Sequence, residues 1–320
     1  MQAICLKRYG SIDNFVKTDL PLPNPKQAQV RVRIHASAIG PADYKVATGM
    51  VKFLHGRKFP MIHGYDFSGT VDAIGIGESR WKVGDSVFGF LPYGPGNNQG
   101  AFAEFLIARS DQIALKPPTV SHHQAAAAAT AALTSIQAIR DQGKLSSSNT
   151  RVLITGVSGA VGSTGILVAK KLGAYVTAVG SSRGLELAKR FGADALIDRK
   201  HSDVVEKADG LFDVIFDAAA AYRWNQWKTK LKDRGSYVTT LPSIAFAADK
   251  LRSLFSSKAA NFVYVKSKSK DLELLATWLR EGAEVAIDST FPVREVSKGF
   301  DRYGKGEFLG RIVVDVIAGF

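Results

Sequence analysis

Gly156, Gly159 and Gly162 follow the apolar run at residues 152–154 and lead into an apolar helical pattern at residues 161–172. A strand, a glycine turn and a helix start, in that order, make a site for a phosphate. Glycine lets the backbone approach a pyrophosphate, and the helix start offers unpaired N–H groups at the positive end of its dipole. The spacing is G-x-x-G-x-x-G rather than G-x-G-x-x-G, so the string alone also fits a tight turn that binds nothing. The downstream elements separate these readings. Residues 174–179, 195–197, 212–217, 235–240 and 261–265 are apolar runs of strand type, most of them separated by helical stretches. That alternation predicts a parallel, doubly wound sheet whose first strand-to-helix turn binds a dinucleotide.

The second strand of this pattern distinguishes the dinucleotides. An NAD site places an acid roughly 20 residues past the motif to hold the ribose hydroxyls. Here Gly180, Ser181, Ser182 and Arg183 occupy that place, and no acid follows until Glu186. Two hydroxyls and a guanidinium suit a 2′-phosphate, which predicts NADPH. The competing reading is a helix N-cap serine followed by a solvated arginine, and Ser182 fits both.

The 320 residues are 46% hydrophobic, enough for two domains with their own cores. Cys5 is the single cysteine, so an internal disulfide and a thiolate zinc cluster are both excluded. The first residues lack a signal-peptide layout, and the alanine-rich stretch 125–139 is too short and polar to span a bilayer. A cytoplasmic protein is expected. The net charge of +13 attracts polyanions in general. Its densest patch, Lys250, Arg252, Lys258, Lys266, Lys268 and Lys270, lacks the interleaved aromatic spacing of a single-strand groove. A solvated basic face that draws in an anionic cofactor is preferred, and nucleic acid is not an expected partner.

The N-terminal third is of another kind, strand-rich and punctuated by Gly and Pro. Residues 29–34 alternate apolar and polar as a half-buried strand does, and residues 67–74, 85–90 and 310–316 are further strands. The last of these is placed to return to the first domain. The expected division is residues 1–120 with 266–320, and residues 121–265.

In order and spacing, Gly40-Pro-Ala-Asp-Tyr-Lys45, Pro60-Met-Ile-His-Gly-Tyr-Asp-Phe-Ser-Gly69, Trp81-Lys-Val-Gly-Asp85, Gly100-Ala-Phe-Ala-Glu-Phe105, Ala131-Ala-Leu-Thr-Ser135, the glycine turn and Gly310-Arg-Ile-Val-Val314 carry a resemblance. The chain resembles the medium-chain dehydrogenase/reductase superfamily, in its zinc-free quinone oxidoreductase and enone reductase branch. The resemblance implies an α/β fold, a chaperonin-like (GroES-like) β-barrel domain plus a Rossmann domain, with a cleft where they meet. The three catalytic zinc ligands of the metal-dependent relatives fall on Gly40, Tyr65 and Thr130, none of which replaces them, so no metal is expected. His63 is displaced by two residues from the second place, and the adjacent His122 and His123 cannot both point at one ion.

The resemblance also puts Asp43, Tyr44 and Lys45 in the loop facing the nicotinamide. Lys45 is then the group that binds a substrate carbonyl and stabilises the developing enolate, with Asp43 orienting it and Tyr44 as donor or packing residue. Read as residues alone, the same three are equally a turn acid, a half-buried tyrosine and a surface lysine. Further implied cofactor contacts are Ser158, Ala160 and Val161 in the turn, Thr134 near the nicotinamide ribose, Leu241, Arg199 against the adenine, and Gly310 and Arg311 in the closing strand. Close relatives often carry Asn at the place of Gly40 and Tyr at that of Arg199. The implied reaction is NADPH-dependent hydride transfer to a quinone or an α,β-unsaturated carbonyl, in a homodimer paired through the edge of the cofactor-domain sheet. The rival of another class is an NADPH-binding sensor or nucleic-acid-binding protein with little turnover, favoured by the charge alone. Tyr264-Val-Lys-Ser-Lys268 matches the short-chain dehydrogenase string but starts in a strand-like run, and Gly156-Val-Ser-Gly-Ala160 lacks the second glycine of a hydrolase elbow.

Overall fold

The computed structural model describes residues 1–52, 58–94, 98–145, 149–200 and 203–320. The segments 50–61 and 91–99, expected to shape a substrate pocket, lie partly outside them. The chain divides into two units, residues 1–130 with 267–320, and residues 131–266. The first unit contains β1 (Gln2–Leu6), β2 (Phe15–Asp19), β3 (Gln29–Ile39), α1 (Pro41–Ala47), β4 (Met61–Ile62), β5 (Asp66–Ile74), β6 (Ser86–Phe90), β7 (Phe105–Arg109), β8 (Ile113–Leu115) and the start of α2 (His122–Ile136). The second contains β9 (Arg151–Thr155), α3 (Ala160–Lys171), β10 (Tyr175–Gly180), α4 (Ser182–Arg190), β11 (Ala195–Asp198), α5 (Val204–Lys207), β12 (Phe212–Asp217), α6 (Trp224–Trp227), β13 (Leu231–Thr239), α7 (Ile244–Ser253) and β14 (Ala259–Phe262). The chain returns to the first unit with α8 (Ser269–Arg280), β15 (Ile287–Pro292), α9 (Val296–Gly304) and β16 (Arg311–Asp315).

In the first unit the alternation of β3 decides which face is inside. Val30, Val32 and Ile34 are buried, while Arg33 on the other face is exposed and lies over the Phe105 ring at 4.7 Å. β3 is the hub of its sheet, whose order is β15-β16-β3-β5-β6-β8, with β7 also on β3. A smaller sheet runs β2-β1-β4. The closing strand returns as its pattern predicts: β16 pairs antiparallel with β3, Ile312 opposite Ile39 and Val314 opposite Ser37. Leu6, Val32, Phe67, Phe102, Phe300 and Ile312 share one core.

The second unit is a parallel sheet of order β11-β10-β9-β12-β13-β14. Strand order reverses between β9 and β12, so the glycine turn after β9 stands at the topological switch point, where open α/β sheets bind ligands. β13 begins before its sequence pattern because Lys232, Asp233 and Arg234 are polar, and β14 begins before its own because Ala259 and Ala260 carry little hydrophobic signal. The alanine-rich stretch 125–139 is buried along its whole length and forms most of α2 and the turn beyond. Among the described residues no helix is long and apolar enough to cross a membrane.

At the start of α2 the two adjacent histidines part. His123 Nε2 lies 3.1 Å from Asp315 Oδ2, while His122 Nδ1 lies 2.8 Å from Ser68 Oγ. The His122 ring also packs on His35, with centroids 4.1 Å apart, and His35 Nε2 lies 3.2 Å from Thr70 Oγ1. Burial, then the neighbouring His35, Lys116 and His123, pushes the His122 imidazole down to about 4. Burial and the charges of Arg33 and Lys116 lower His35 as well. The folded chain therefore binds fewer protons here than the unfolded chain. The stability from this pair is complete above pH 6.5 and is lost as pH falls toward 4. Denaturant unfolding at pH 7 and pH 4.5 should show that loss in the parent chain, and His122→Gln should reduce it by about 2 kcal/mol.

Candidate functional site

In the second unit, Gly156 turns the chain out of β9 with φ 68°. A Cβ there would stand 2.9 Å from the Ala219 Cβ, so the loop after β12 packs directly on the turn. Gly162 faces the Gly156 carbonyl oxygen with no room for a side chain. α3 starts at Ala160 behind Gly159, an N-cap that supplies no side-chain acceptor, so among the described residues no side chain caps the first amides of the helix, including those of Ala160 and Val161. Ser158 Oγ lies 3.2 Å from Ser181 Oγ, and the lack of a side chain at Gly184 lets α4 lie against Ser158. Uncapped amides, a helix dipole and close backbone approach fit a dinucleotide pyrophosphate.

The polar residues after β10 divide their roles. Ser181 is the N-cap of α4 and makes no capping bond through its side chain. Ser182 donates its hydroxyl to Asp198 Oδ2 at 2.9 Å. Arg183 and Arg199 are exposed, and the Arg199 N–H donates to the Gly180 carbonyl oxygen at 3.0 Å, drawing the ends of β10 and β11 together. The sheet thus gathers Ser181, Ser182, Arg183 and Arg199 along one edge. It also brings in Asp198, an acid that the spacing along the second strand does not reveal because it belongs to the third.

Two further residues hold this surface, and the sequence reading missed both. Asp217 is fully buried at the end of β12. It accepts the Thr155 hydroxyl at 2.5 Å and, at 2.8 Å each, the Tyr222 N–H and the Tyr237 hydroxyl. It pins the loop that packs on Gly156. The available signal was an acid closing an apolar strand just before four alanines. Ser135 Oγ lies 2.9 Å from the Val161 carbonyl oxygen and 3.1 Å from Thr164 Oγ1, tying α2 to α3. Thr134 is buried beside it, and Leu241 is exposed beyond the end of β13.

In the first unit, Asp43 is an N-terminal acid of α1 and is buried. Its two oxygens accept the backbone N–H groups of Gly40 and Gly64, both at 2.9 Å. Burial raises its carboxyl to about 6, against the opposing pull of those amides and of Arg311. These backbone amides, rather than Lys45, are its hydrogen-bond partners. Lys45 is half-buried, and its ammonium has no hydrogen-bond or ion-pair partner among the described residues. Tyr44 packs against Tyr303 with centroids 5.1 Å apart and lines a cavity of about 330 Å³ with Ser11, Thr48 and Asp301. A Cβ on Gly304 would meet its hydroxyl at 2.8 Å.

Arg311 is buried against Gly40, where a Cβ would come within 3.0 Å of both guanidinium nitrogens. It forms an ion pair with the fully buried Asp66, whose other oxygen accepts the Thr130 N–H at 2.7 Å. Burial lowers the arginine to about 10, against the pull of Asp43. Gly310, at φ 78°, passes so close to the Ala286 carbonyl that no side chain fits. Gly40 and Thr130 are thus joined through the Arg311–Asp66 pair, and Tyr65 contacts Tyr93, whose hydroxyl donates to Thr130 Oγ1 at 3.4 Å. His63 is buried beside Phe15 and Phe300. Among the described residues no group of three or more His, Cys, Asp or Glu is arranged to hold a metal ion.

Removing one member of a buried ion pair strands the other charge. Asp66→Ala should destabilise the chain by about 3 kcal/mol or more in urea unfolding. Replacing both partners with apolar side chains, Asp66→Leu together with Arg311→Met, should recover most of that loss.

The family model for the alcohol dehydrogenase GroES-like domain matches residues 26–118, and that for zinc-binding dehydrogenases matches residues 191–314. The chloroplastic quinone-oxidoreductase homolog of Spinacia oleracea is 30% identical over 98% of both chains. The 2-methylene-furan-3-one reductase of Solanum lycopersicum is 30% identical over 99% of this chain and 79% of its own. The quinone oxidoreductase from Coxiella burnetii superposes with a TM-score of 0.87 at 26% identity, covering 99% of both chains. A barrel unit built on β3, a doubly wound sheet with its glycine turn at the switch point, and end-to-end relatives of this kind have one reading: the chain belongs to the medium-chain dehydrogenase/reductase superfamily, among its quinone oxidoreductase-like and enone reductase-like members, and is an oxidoreductase that works with a nicotinamide cofactor.

Proposed function

We propose that this oxidoreductase uses NADPH, without a metal, to reduce quinones and α,β-unsaturated carbonyls in the cytoplasm. The observation that carries the reading is the pairing of an uncapped helix start at Gly159 with the serines and exposed arginines at the ends of β10 and β11. The amides of Ala160 and Val161 hold the pyrophosphate. Ser181 and Arg183 hold the 2′-phosphate, with Ser182 braced on Asp198, and Arg199 lies against the adenine. Thr134, Leu241, Gly310 and Arg311 complete the cofactor contacts in this reading, Arg311 through the position it imposes on Gly40. When bound, NADPH supplies a hydride to the carbon β to the carbonyl.

Lys45 binds the carbonyl oxygen and stabilises the negative charge that grows there, a role for which an ammonium with no internal partner among the described residues is suited. Asp43 acts on α1 as a whole by fixing Gly40 and Gly64, and so positions Lys45 indirectly. The Tyr44 hydroxyl lies beside Gly304, which favours solvent as the source of the proton at the α carbon. The absence of thiolate, imidazole and carboxylate at Gly40, Tyr65 and Thr130 supports a metal-free mechanism. A homodimer paired through β14 completes the reading, since this strand bonds to β13 alone among the described residues and leaves an open edge.

The first experiment is turnover of a panel of quinones, enals and enones with NADPH and with NADH. Arg183→Ala should raise the KM for NADPH about tenfold or more with little change for NADH. Equal changes for both would remove the 2′-phosphate assignment. Lys45→Ala should lower kcat on an enone about a hundredfold while NADPH still binds, as read by fluorescence titration. An unchanged kcat would remove Lys45 from the chemistry.

A further inference from the structure

α7 buries one face and leaves an apolar stripe on the other. Phe246, Asp249 and Ser253 are buried. On the other side Ile244, Ala248, Leu251 and Phe255 recur at spacings of four, three and four residues, one stripe along the helix and the turn after it. This stripe faces water: Ile244 is 95% exposed, Leu251 61%, Leu254 68% and Phe255 88%. Exposed apolar residues usually occur singly, and a continuous stripe of this kind marks a contact surface.

The charges of the segment that carries the stripe are predominantly positive, and the exposed Asp233 of β13 reaches the Ser257 hydroxyl just beyond it at 2.8 Å. Lys250 and Arg252 flank it on either side, and residues 241–268 also include Lys258, Lys266 and Lys268. Asp249 is the single acid of that segment, and it is buried and paired with Arg223 and Arg252. A two-fold contact between copies would set this patch against itself and bring like charges together. An apolar stripe between cationic borders matches the boundary between the headgroups and acyl chains of an anionic bilayer.

We propose that α7 and the turn after it dock on the surface of an anionic lipid bilayer. Ile244, Leu251, Leu254 and Phe255 enter at headgroup level, and Lys250, Arg252 and Lys258 meet lipid phosphates. The chain is then a peripheral protein held by one helix lying in the interface plane.

Co-sedimentation with vesicles tests this. Phosphatidylcholine vesicles carrying about 30% phosphatidylglycerol should pellet about tenfold more chain than pure phosphatidylcholine vesicles. Sodium chloride at about 0.5 M should release most of it. Leu251→Ser with Phe255→Ser should cut the bound fraction about tenfold with circular dichroism unchanged. If that variant does not fold, Lys250→Glu with Arg252→Glu carries the test: lost binding to anionic vesicles supports the proposal, and retained binding overturns it. Equal pelleting with neutral and anionic vesicles also overturns it. So does a Leu251→Ser/Phe255→Ser variant that changes oligomeric state in sedimentation velocity but still binds vesicles, since the stripe would then be covered by a second copy.

Discussion

In the barrel unit a carboxylate and a guanidinium meet almost without water, Asp66 from β5 and Arg311 from β16. Taking both charges out of solvent is costly, and their attraction repays it only if the remaining polar atoms are also used. Much of that condition is met. The second Asp66 oxygen takes the Thr130 N–H, and the arginine lies against Gly40, where any side chain would crowd it. The pair therefore fixes three things together: the closing strand, the loop that starts α1, and the backbone at Thr130. Lys45 on α1 inherits its position from this arrangement, as does the bond of Asp43 to Gly40.

The cofactor unit uses a related device with one charge. Asp217 has no ion-pair partner among the described residues, and convergent hydroxyl and amide donors from Thr155, Tyr222 and Tyr237 occupy its oxygens. The donors come from β9, β13 and the loop after β12, so one carboxylate holds that loop against the glycine turn. In both units a buried acid positions backbone that has no side chains with which to position itself. Glycine gives the loops their close approach, and the acids restore the rigidity that glycine removes.

Much of this was legible in the sequence because it is local. The alternation of β3, the apolar strands of the parallel sheet, the glycine turn and the return of residues 310–316 each rest on neighbours a few positions apart. What was not legible depends on distant pairing. Nothing near Arg311 announces that its partner lies 245 residues earlier, so the resemblance names it as a cofactor contact without any sign of the ion pair. Asp198 escaped for the same reason: it reaches Ser182 from the next strand. The partners of Asp43 are backbone amides, which a sequence of side chains does not display. The ring of Tyr44 turned toward α9, a contact set by Phe300 and Tyr303 at the far end of the chain.

The return of β16 to β3 has a consequence for how the molecule is made. The cofactor sheet is complete once residue 266 has been synthesised, whereas the barrel sheet still lacks two of its strands. Until Arg311 leaves the ribosome, Asp66 is a carboxylate without its counter-charge beside an unfilled strand position, and β3 exposes the edge that β16 will cover. Vectorial synthesis thus favours an order in which the inserted unit folds first and the unit that begins the chain folds last. A nascent chain stalled before residue 311 would display an open, aggregation-prone sheet edge, the state a holding chaperone recognises.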